Sequence, residues 1–189
     1  MSRFYLTVFC MAFFIEANAQ WQLLNSPCGT GIGSLVVNDS VVYAGGRFQT
    51  AEFFLSNDNG IHWQAINNGL PAQRGVGDFI VHGSSIYATT EGGLPYRANI
   101  SDYIWHEAAS GLPAYPQASH LIEHDSIVFL TAKSGLYVLG DSDNTWHPMN
   151  TGIPDTCCTL MTVQENCIFF GTCFGEIYYS TNNGSSWIE

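Results

Sequence analysis

The sequence predicts an all-β protein made from one repeated unit, because two features recur along it with the same period. The five tryptophans lie 42, 42, 41 and 41 residues apart, at Trp21, Trp63, Trp105, Trp146 and Trp187. An apolar run with an aromatic residue follows each of the first four tryptophans after about 22–24 residues. A period of about 40–45 residues with four strands is typical of the blade of a β-propeller. We therefore expect about four blades of antiparallel strands.

Each repeat carries strand signals in the same order. In the second repeat we predict strand A at 77–82, strand B at 85–90, strand C at 94–99 and strand D at 103–108, since β-branched and aromatic runs bounded by turn residues favour strands. The matched strand B pairs are Val42-Tyr43, Ile86-Tyr87, Val128-Phe129 and Ile168-Phe169. No long apolar stripe of helical period follows residue 20. The tryptophan falls on the outermost strand, where its ring is expected to cover the junction between neighbouring blades.

The repeats set the predicted domain boundaries. Blades are expected at 33–66, 77–108, 119–148 and 159–189, with an orphan outer strand at 21–24. Glycine and proline end a strand and begin a loop at three matched positions, namely Gly69-Leu70-Pro71, Gly111-Leu112-Pro113 and Gly152-Ile153-Pro154. Because the orphan strand has no blade of its own, the arithmetic predicts a fragment of a larger ring of about 6–8 blades.

Two repeats carry a sharper motif just before the tryptophan. Residues 56–63 fit Ser-x-Asp-x-Gly-x-x-Trp, and residues 180–187 fit the same pattern with Asn in place of Asp. The third repeat keeps only Asp141, and the second has Ile100 at that point. The motif resembles the Asp-box, or BNR repeat, whose Asp or Asn accepts backbone N–H bonds in a tight hairpin while Gly supplies positive φ. Its residues here are Ser56, Asp58, Gly60, Trp63, Ser180, Asn182, Gly184 and Trp187.

The resemblance implies a fold family rather than a reaction. That family includes sialidases, sortilin-type receptors, xyloglucan-degrading glycosidases and photosystem II assembly factors. In these folds the Asp-box lies at the blade periphery, away from the ligand-binding face, so its residues are expected to be structural. The repeat and its Gly-Leu-Pro joints also look like those of large secreted repeat proteins of bacteria.

The first 19 residues read as a secretory signal peptide. Arg3 gives a positive start, residues 4–15 are apolar, and Ala17-Asn18-Ala19 is a small-x-small cleavage site. A membrane span is the alternative, but 12 apolar residues are too few for a bilayer that needs about 20. We therefore expect cleavage near Ala19 and a secreted protein, extracellular or periplasmic, with no membrane insertion.

Charge excludes several classes of partner. The formal net charge is −11, and after residue 19 only Arg47, Arg74, Arg97 and Lys133 are cationic. Nucleic acids and anionic membranes need clustered Lys and Arg, so neither is expected as a partner. The carboxylates form no recognised calcium loop, and no cofactor is expected. The predicted ligand is a protein or a glycan.

The cysteines favour a disulfide over a metal site. Cys28 stands alone, whereas four cysteines cluster in the last repeat. An exported protein can form disulfides, and we expect one that joins Cys157 or Cys158 to Cys167 or Cys173. Zinc is the alternative, but the spacing Cys-Cys-x8-Cys-x5-Cys is not a recognised ligand pattern, so no metal is predicted.

The candidate binding face follows from topology. In a propeller the B–C and D–A loops share one face, opposite the Asp-box turns, and that face is expected to carry function. An anionic ligand would use the cations there, although charged residues occur in loops without any ligand. The predicted binding residues are Arg47, Arg74, Glu91, Tyr115, His120, Lys133, Asp155, Phe174 and Glu176.

Catalysis is the alternative to binding. A sialidase needs an arginine cluster, and the chain after residue 19 has only three arginines. A glycosidase needs two carboxylates about 5–10 Å apart, which Asp78, Glu91, Asp155 and Glu176 could supply, but their spacing singles out no pair. His62, His106 and His147 follow or precede tryptophans and are expected to face solvent or the next blade. The sequence thus favours a binding or scaffold module, with a secreted glycoside hydrolase, its site partly outside this segment, as the alternative.

Overall fold

Fifteen β-strands make up the described part of the chain. The structure, a computed structural model, describes residues 31–47, 52–72, 74–91, 93–141, 144–153 and 158–189. The predicted signal peptide and orphan strand lie outside these residues. The strands are β1 Ile32–Asn38, β2 Val41–Gly46, β3 Phe53–Ser56, β4 Gln64–Ala65, β5 Val76–His82, β6 Ser85–Thr90, β7 Pro95–Asn99, β8 Trp105–Glu107, β9 His120–His124, β10 Ile127–Ala132, β11 Gly135–Leu139, β12 Trp146–Pro148, β13 Cys158–Gln164, β14 Cys167–Thr172 and β15 Ile177–Ser180. Across the described ranges no helix has the length and apolarity needed to cross a membrane.

The strands form four antiparallel sheets, each a meander of consecutive strands. The first three have four strands, in the orders β1-β2-β3-β4, β5-β6-β7-β8 and β9-β10-β11-β12, and we call them blades 1 to 3. Blade 4 has three strands, β13-β14-β15. The all-β prediction is confirmed, but the outer strand of blade 4 is reduced to one bridge, between Tyr179 and Ile188.

Consecutive blades lie next to one another in chain order. Their innermost strands contact in chain order, β1 with β5, β5 with β9, and β9 with β13. Each junction between consecutive blades buries its own hydrophobic core, built around Phe53 and Phe79 between blades 1 and 2, Leu130 between blades 2 and 3, and Phe170 between blades 3 and 4. The apolar alternation of each sheet is thus satisfied by its neighbours.

The tryptophans fasten each blade to the preceding one. The Trp105 indole Nε1–H donates to the Ile66 carbonyl at 2.7 Å, and the Trp105 backbone N–H donates to Asn68 at 2.8 Å. Trp146 repeats the arrangement, with its indole donating to the Ala108 carbonyl at 2.7 Å. Trp187 donates to the carbonyl of Met149 at 2.9 Å. The predicted position of the ring at the blade junction is confirmed for these three.

The Gly-Leu-Pro joints are explained by the close approach of each glycine to the tryptophan backbone of the next blade. Gly69 has φ of +94°, and a Cβ there would collide with the carbonyl of Trp105. Gly111 has φ of +86° and stands in the same relation to Trp146. Only glycine allows both the left-handed backbone and this close approach, so the joint is a packing requirement of the next blade.

Candidate functional site

The two Asp-box turns use their polar atoms internally. In blade 1 the Ser56 hydroxyl donates to Asp58 Oδ1 and accepts from the Gly60 N–H, both at 2.8 Å. Asp58 Oδ1 also accepts from the His62 backbone N–H at 2.8 Å, and Oδ2 lies 2.6 Å from His62 Nδ1. The His62 backbone N–H, then its ring and Ser56, lower the pKa of Asp58 from 3.8 to about 2.

The turn of blade 4 repeats this network with an amide. Ser180 donates to Asn182 Oδ1 at 2.8 Å and accepts from the Gly184 N–H at 2.9 Å. The Ser186 N–H donates to Asn182 Oδ1 at 3.0 Å, and Asn182 Nδ2 donates back to the Ser186 hydroxyl at 2.9 Å. These contacts give the side chains a local structural task, in keeping with Asx-type turn chemistry.

The C–D turns of blades 2 and 3 are built differently. In blade 2 the Asp102 carboxylate accepts from the Ile104 N–H at 3.0 Å, and Tyr103 has φ of +53°. The Tyr103 ring packs against the core between blades 1 and 2, with its hydroxyl 3.4 Å from that of Tyr43. In blade 3, Asn144 takes the matching positive φ of +52°.

The opposite end of the sheets brings B–C turns and D–A connections together. Backbone hydrogen bonds run from Glu91 N–H to the Gly75 carbonyl at 2.9 Å, and from Lys133 N–H to the Pro116 carbonyl at 3.0 Å. Arg74 and Tyr115 each precede one of these carbonyl residues by one position. We call the surface formed by these turns and connections the loop face.

Two aromatic side chains stand exposed in these loops. Tyr115, in the connection from blade 2 to blade 3, is 88% exposed, and Phe174, in the B–C turn of blade 4, is 68% exposed. Beside Phe174, the Glu176 carboxylate accepts from the Thr172 hydroxyl at 3.3 Å and from the Tyr178 hydroxyl at 3.5 Å. An apolar ring left in water has no role in the core, so these rings are candidates for ligand contact.

A cavity of about 390 Å³ opens at the loop face between blades 2 and 3. It is lined by Thr90, Glu91, Gly93, Gln117 and Ala118. Its walls are held together by the Ala118 N–H, which donates to the Gly93 carbonyl at 2.9 Å. Of the predicted residues it includes Glu91.

An aspartate–histidine pair ties blade 2 to blade 3. Asp78 Oδ2 accepts from the Leu121 N–H at 3.0 Å and lies 3.2 Å from His120 Nδ1, while Oδ1 accepts from the Phe79 N–H at 2.9 Å. The hydrogen bond with Asp78 raises the pKa of His120, against a smaller opposing effect of burial. Asp78, a candidate glycosidase carboxylate in the sequence, is therefore engaged in a contact between blades.

The remaining predicted residues are dispersed. Arg47 follows β2 and donates its N–H to the Gly31 carbonyl at 2.7 Å, and Asp155 lies outside the described residues.

Cys173 is disulfide-bonded and Cys167 is a free thiol, whereas Cys157 and the Cys158 side chain lie outside the described part. No cluster of three or more His, Cys, Asp or Glu that could hold a metal occurs among the described residues.

Sequence reasoning missed a groove at the Asp-box end, between blades 2 and 3. Two adjoining cavities of about 380 and 480 Å³ share Arg97 and Asn144 in their lining. A signal for it was present in the repeat, since Arg97 stands where the C strands of blades 1 and 3 carry Leu55 and Val138.

Comparison with known proteins shows the fold. No protein-family model matches the chain, and no curated protein matches it. Among solved structures it is similar to YCF48 bound to D1 peptide (TM-score 0.64, 12% identity, 89% of this chain and 56% of that one). It is also similar to the GH74 enzyme of Niastella koreensis (TM-score 0.65, 16% identity, 90% and 27%). A third is the extracellular domain of BT4673 from B. thetaiotaomicron (TM-score 0.63, 14% identity, 84% and 22%).

The stacked meander sheets and these neighbours define the class of the protein: it is a β-propeller module. The chain spans between about a fifth and somewhat more than half of the length of those three structures. At identities of 12–16% the likeness shows the fold alone.

Proposed function

We propose that this propeller is an exported binding module whose loop face takes a protein or glycan ligand. The observation that carries the proposal is the exposure of Tyr115 and Phe174 in irregular loops of that face. Such rings stack on sugars and bury against peptides with little loss of side-chain entropy. Loops held by a rigid scaffold are where propellers and other folds place their binding residues.

The charged residues and the cavity of the loop face also support a binding role. Glu91 lines the cavity on the loop face, Arg74 and Lys133 flank the backbone bonds that shape the face, and His120 lies at the start of β9. YCF48, a structural neighbour, is bound to a peptide. Export rests on the leader-like first 19 residues and agrees with a neighbour that is an extracellular domain.

The alternative is a secreted glycoside hydrolase, the class to which the GH74 neighbour belongs by its name. It would need two carboxylates converging on a sugar at about 5–10 Å. Of the candidate carboxylates, Asp78 already accepts a hydrogen bond from the Leu121 N–H and contacts the His120 ring. Glu176 already accepts hydrogen bonds from the hydroxyls of Thr172 and Tyr178. Binding without turnover is the function that these contacts favour.

The test is a binding screen with the full chain. Wild type and the double variant Tyr115→Ala/Phe174→Ala are applied to a glycan array and to an array of extracellular peptides. We expect a hit whose affinity falls about tenfold or more in the double variant, since stacking on an exposed ring is lost.

The matched control is Ile61→Ala/Ile188→Ala. Both residues are exposed apolar side chains, 53% and 55%, and they lie outside the loop face. This variant should bind like wild type, and both variants should melt at the wild-type temperature. A hit that survives Tyr115→Ala/Phe174→Ala unchanged would contradict the proposal.

A further inference from the structure

The groove between blades 2 and 3, at the Asp-box end, is a second candidate site. Its two cavities of about 380 and 480 Å³ adjoin through Arg97 and Asn144, which line both. Ligand pockets for small molecules usually measure about 300–1,000 Å³. The groove lies opposite the loop face, so it is distinct from the site proposed above.

Three departures from the packing of the junction between blades 1 and 2 open this groove. Arg97 pairs with the strand B aromatic Tyr87, at the position that Leu55 and Val138 fill in blades 1 and 3. Three residues after the tryptophan, Ala108 stands where the other junctions have Ile66 and Met149.

The third departure lies two residues before the tryptophan. There blade 2 has Tyr103, whose ring fills the junction between blades 1 and 2, and blade 3 has the smaller, polar Asn144. At the junction between blades 2 and 3, all three positions are therefore smaller or more polar than those that close the junction between blades 1 and 2. Blade 4 has a small polar residue, Ser185, at the same place, so the junction between blades 2 and 3 differs from the others in combining all three changes. Such a departure from regular packing is expected at functional positions.

Arg97 is held in place by contacts that leave part of its guanidinium unused. Its Nε and Nη2 both donate to the buried Ser85 hydroxyl, at 3.0 and 2.9 Å, and its Cζ lies 5.7 Å from the centre of the Tyr87 ring. Among the described residues no carboxylate oxygen lies within 4.0 Å of the Arg97 guanidinium nitrogens. Nη1 keeps two donors and Nη2 keeps one for a ligand.

The rest of the lining fits a hydroxylated partner. Amides, hydroxyls and carboxylates surround the arginine, among them Asn99, Asp102, Glu107, Ser110, Asp141 and Asn144. Carboxylates and amide oxygens accept hydrogen bonds from hydroxyl groups. The carboxylates of Asp102, Glu107 and Asp141 repel a multiply charged anion such as a phosphate more strongly than a monocarboxylate, which has one negative charge for Arg97.

We propose that this groove binds a hydroxylated monocarboxylate, of the chemistry presented by a hexuronic acid. The free edge of Arg97 pairs with the carboxylate, and the surrounding amides and carboxylates hold the hydroxyls. The proposal uses both the unpaired cation and the acidic lining, which neither a neutral sugar nor a polyanion would do.

The experiment measures binding of D-glucuronate to the full chain by isothermal titration calorimetry, with D-glucose as the probe that lacks the carboxylate. Glucuronate is expected to bind at least about tenfold more tightly than glucose. Arg97→Leu introduces the blade 1 residue, and Asn144→Tyr introduces the side chain that fills the junction between blades 1 and 2. Each variant is expected to lose glucuronate binding about tenfold or more while its thermal unfolding stays cooperative.

Asn166→Asp is the matched control, because it makes the net charge one unit more negative, as Arg97→Leu does, at an exposed turn of blade 4 outside both candidate sites. It should leave glucuronate binding unchanged, and its failure to bind would point to a general charge effect and overturn the proposal. Equal affinity for glucuronate and glucose, or full glucuronate binding by either Arg97→Leu or Asn144→Tyr, would also overturn it. Loss of array binding in Tyr115→Ala/Phe174→Ala concerns only the loop face, so the two proposals fail separately.

Discussion

A single side chain, Asp58 or Asn182, organises each Asp-box turn. Both accept from a serine hydroxyl and from a backbone N–H four residues later. The difference is charge, since Asp58 carries a pKa lowered to about 2 and Asn182 cannot titrate. The two turns of one chain therefore form a natural pair for measuring what the carboxylate adds.

Asp58→Asn should remove a component of acid sensitivity. Because the folded pKa of Asp58 lies below its ordinary 3.8, its stabilising contribution is complete above about pH 4 and is lost as the pH falls towards 2. The melting temperature of the variant should thus fall less steeply than that of wild type from pH 4 to pH 2. The measurement is thermal unfolding followed by tryptophan fluorescence across that range.

Asn182→Asp is the reciprocal control. It should steepen the same acid transition, since it gives the blade 4 turn a carboxylate that accepts the Ser186 N–H. If the melting temperatures of wild type, Asp58→Asn and Asn182→Asp fall in parallel with pH, then neither turn contributes to the pH dependence of stability.

His120 is expected to titrate above its ordinary range because of Asp78. A histidine whose folded pKa is raised stabilises fully below its unfolded value of about 6.5, and this contribution disappears as the pH rises through the folded pKa. In an NMR titration of the histidine rings, Asp78→Asn should lower the pKa of one imidazole and leave the others. The side chain of His120 is about half exposed, 48%, so solvent weakens the coupling. An unchanged His120 titration in the variant would refute the pairing.

At the scale of the element, the outer strand does more than complete its own sheet. Trp105, Trp146 and Trp187 donate their indole N–H groups to carbonyls of the preceding blade. Trp63 instead donates to Gly60 within its own turn, at 3.1 Å, and is only partly buried. The tryptophan at this repeat position thus joins two blades in blades 2 to 4 but stabilises its own turn in blade 1.

Trp146→Phe should destabilise the protein more than Trp63→Phe. The first change leaves the Ala108 carbonyl without its donor across a blade junction, which costs about 1–3 kcal/mol. The second removes a bond inside one exposed turn. Urea unfolding of the two variants gives the comparison, and an equal or larger loss for Trp63→Phe would contradict the assignment of the tryptophans as ties between blades.

Elements were predictable because the repeat shows them four times. In the second repeat the strand B prediction of 85–90 coincides with β6, since alternating apolar residues between turns leave little freedom. The outer strand of blade 4 was not predictable as a single bridge. Only Ile188 pairs with β15 there, although Trp187 makes the same bond to the preceding blade as Trp105 and Trp146.

At the scale of the whole molecule, the repeat explains how the sheets stack, and the residues that depart from the repeat mark the candidate binding sites. The period predicts where sheets stack, but it averages over the positions that differ, such as Arg97 among Leu55 and Val138. The sequence placed Tyr115 and Phe174 in loops of the predicted binding face, but the exposed fraction of each ring depends on how its loop folds over the sheet ends. Contacts across blades, such as Asp78 with His120, depend on the three-dimensional stacking.

The central claim at this scale is that the loop face binds a ligand without cleaving it. Analysis of the products tests this claim most directly. The full chain is incubated with the glycan panel, and bound glycan and newly formed reducing ends are measured together, for wild type, Glu91→Gln and Glu176→Gln. A binding module predicts that glycan retained by wild type is recovered intact, with no new reducing ends. Reducing ends released by wild type and abolished by Glu91→Gln or Glu176→Gln would contradict the account and establish a glycoside hydrolase.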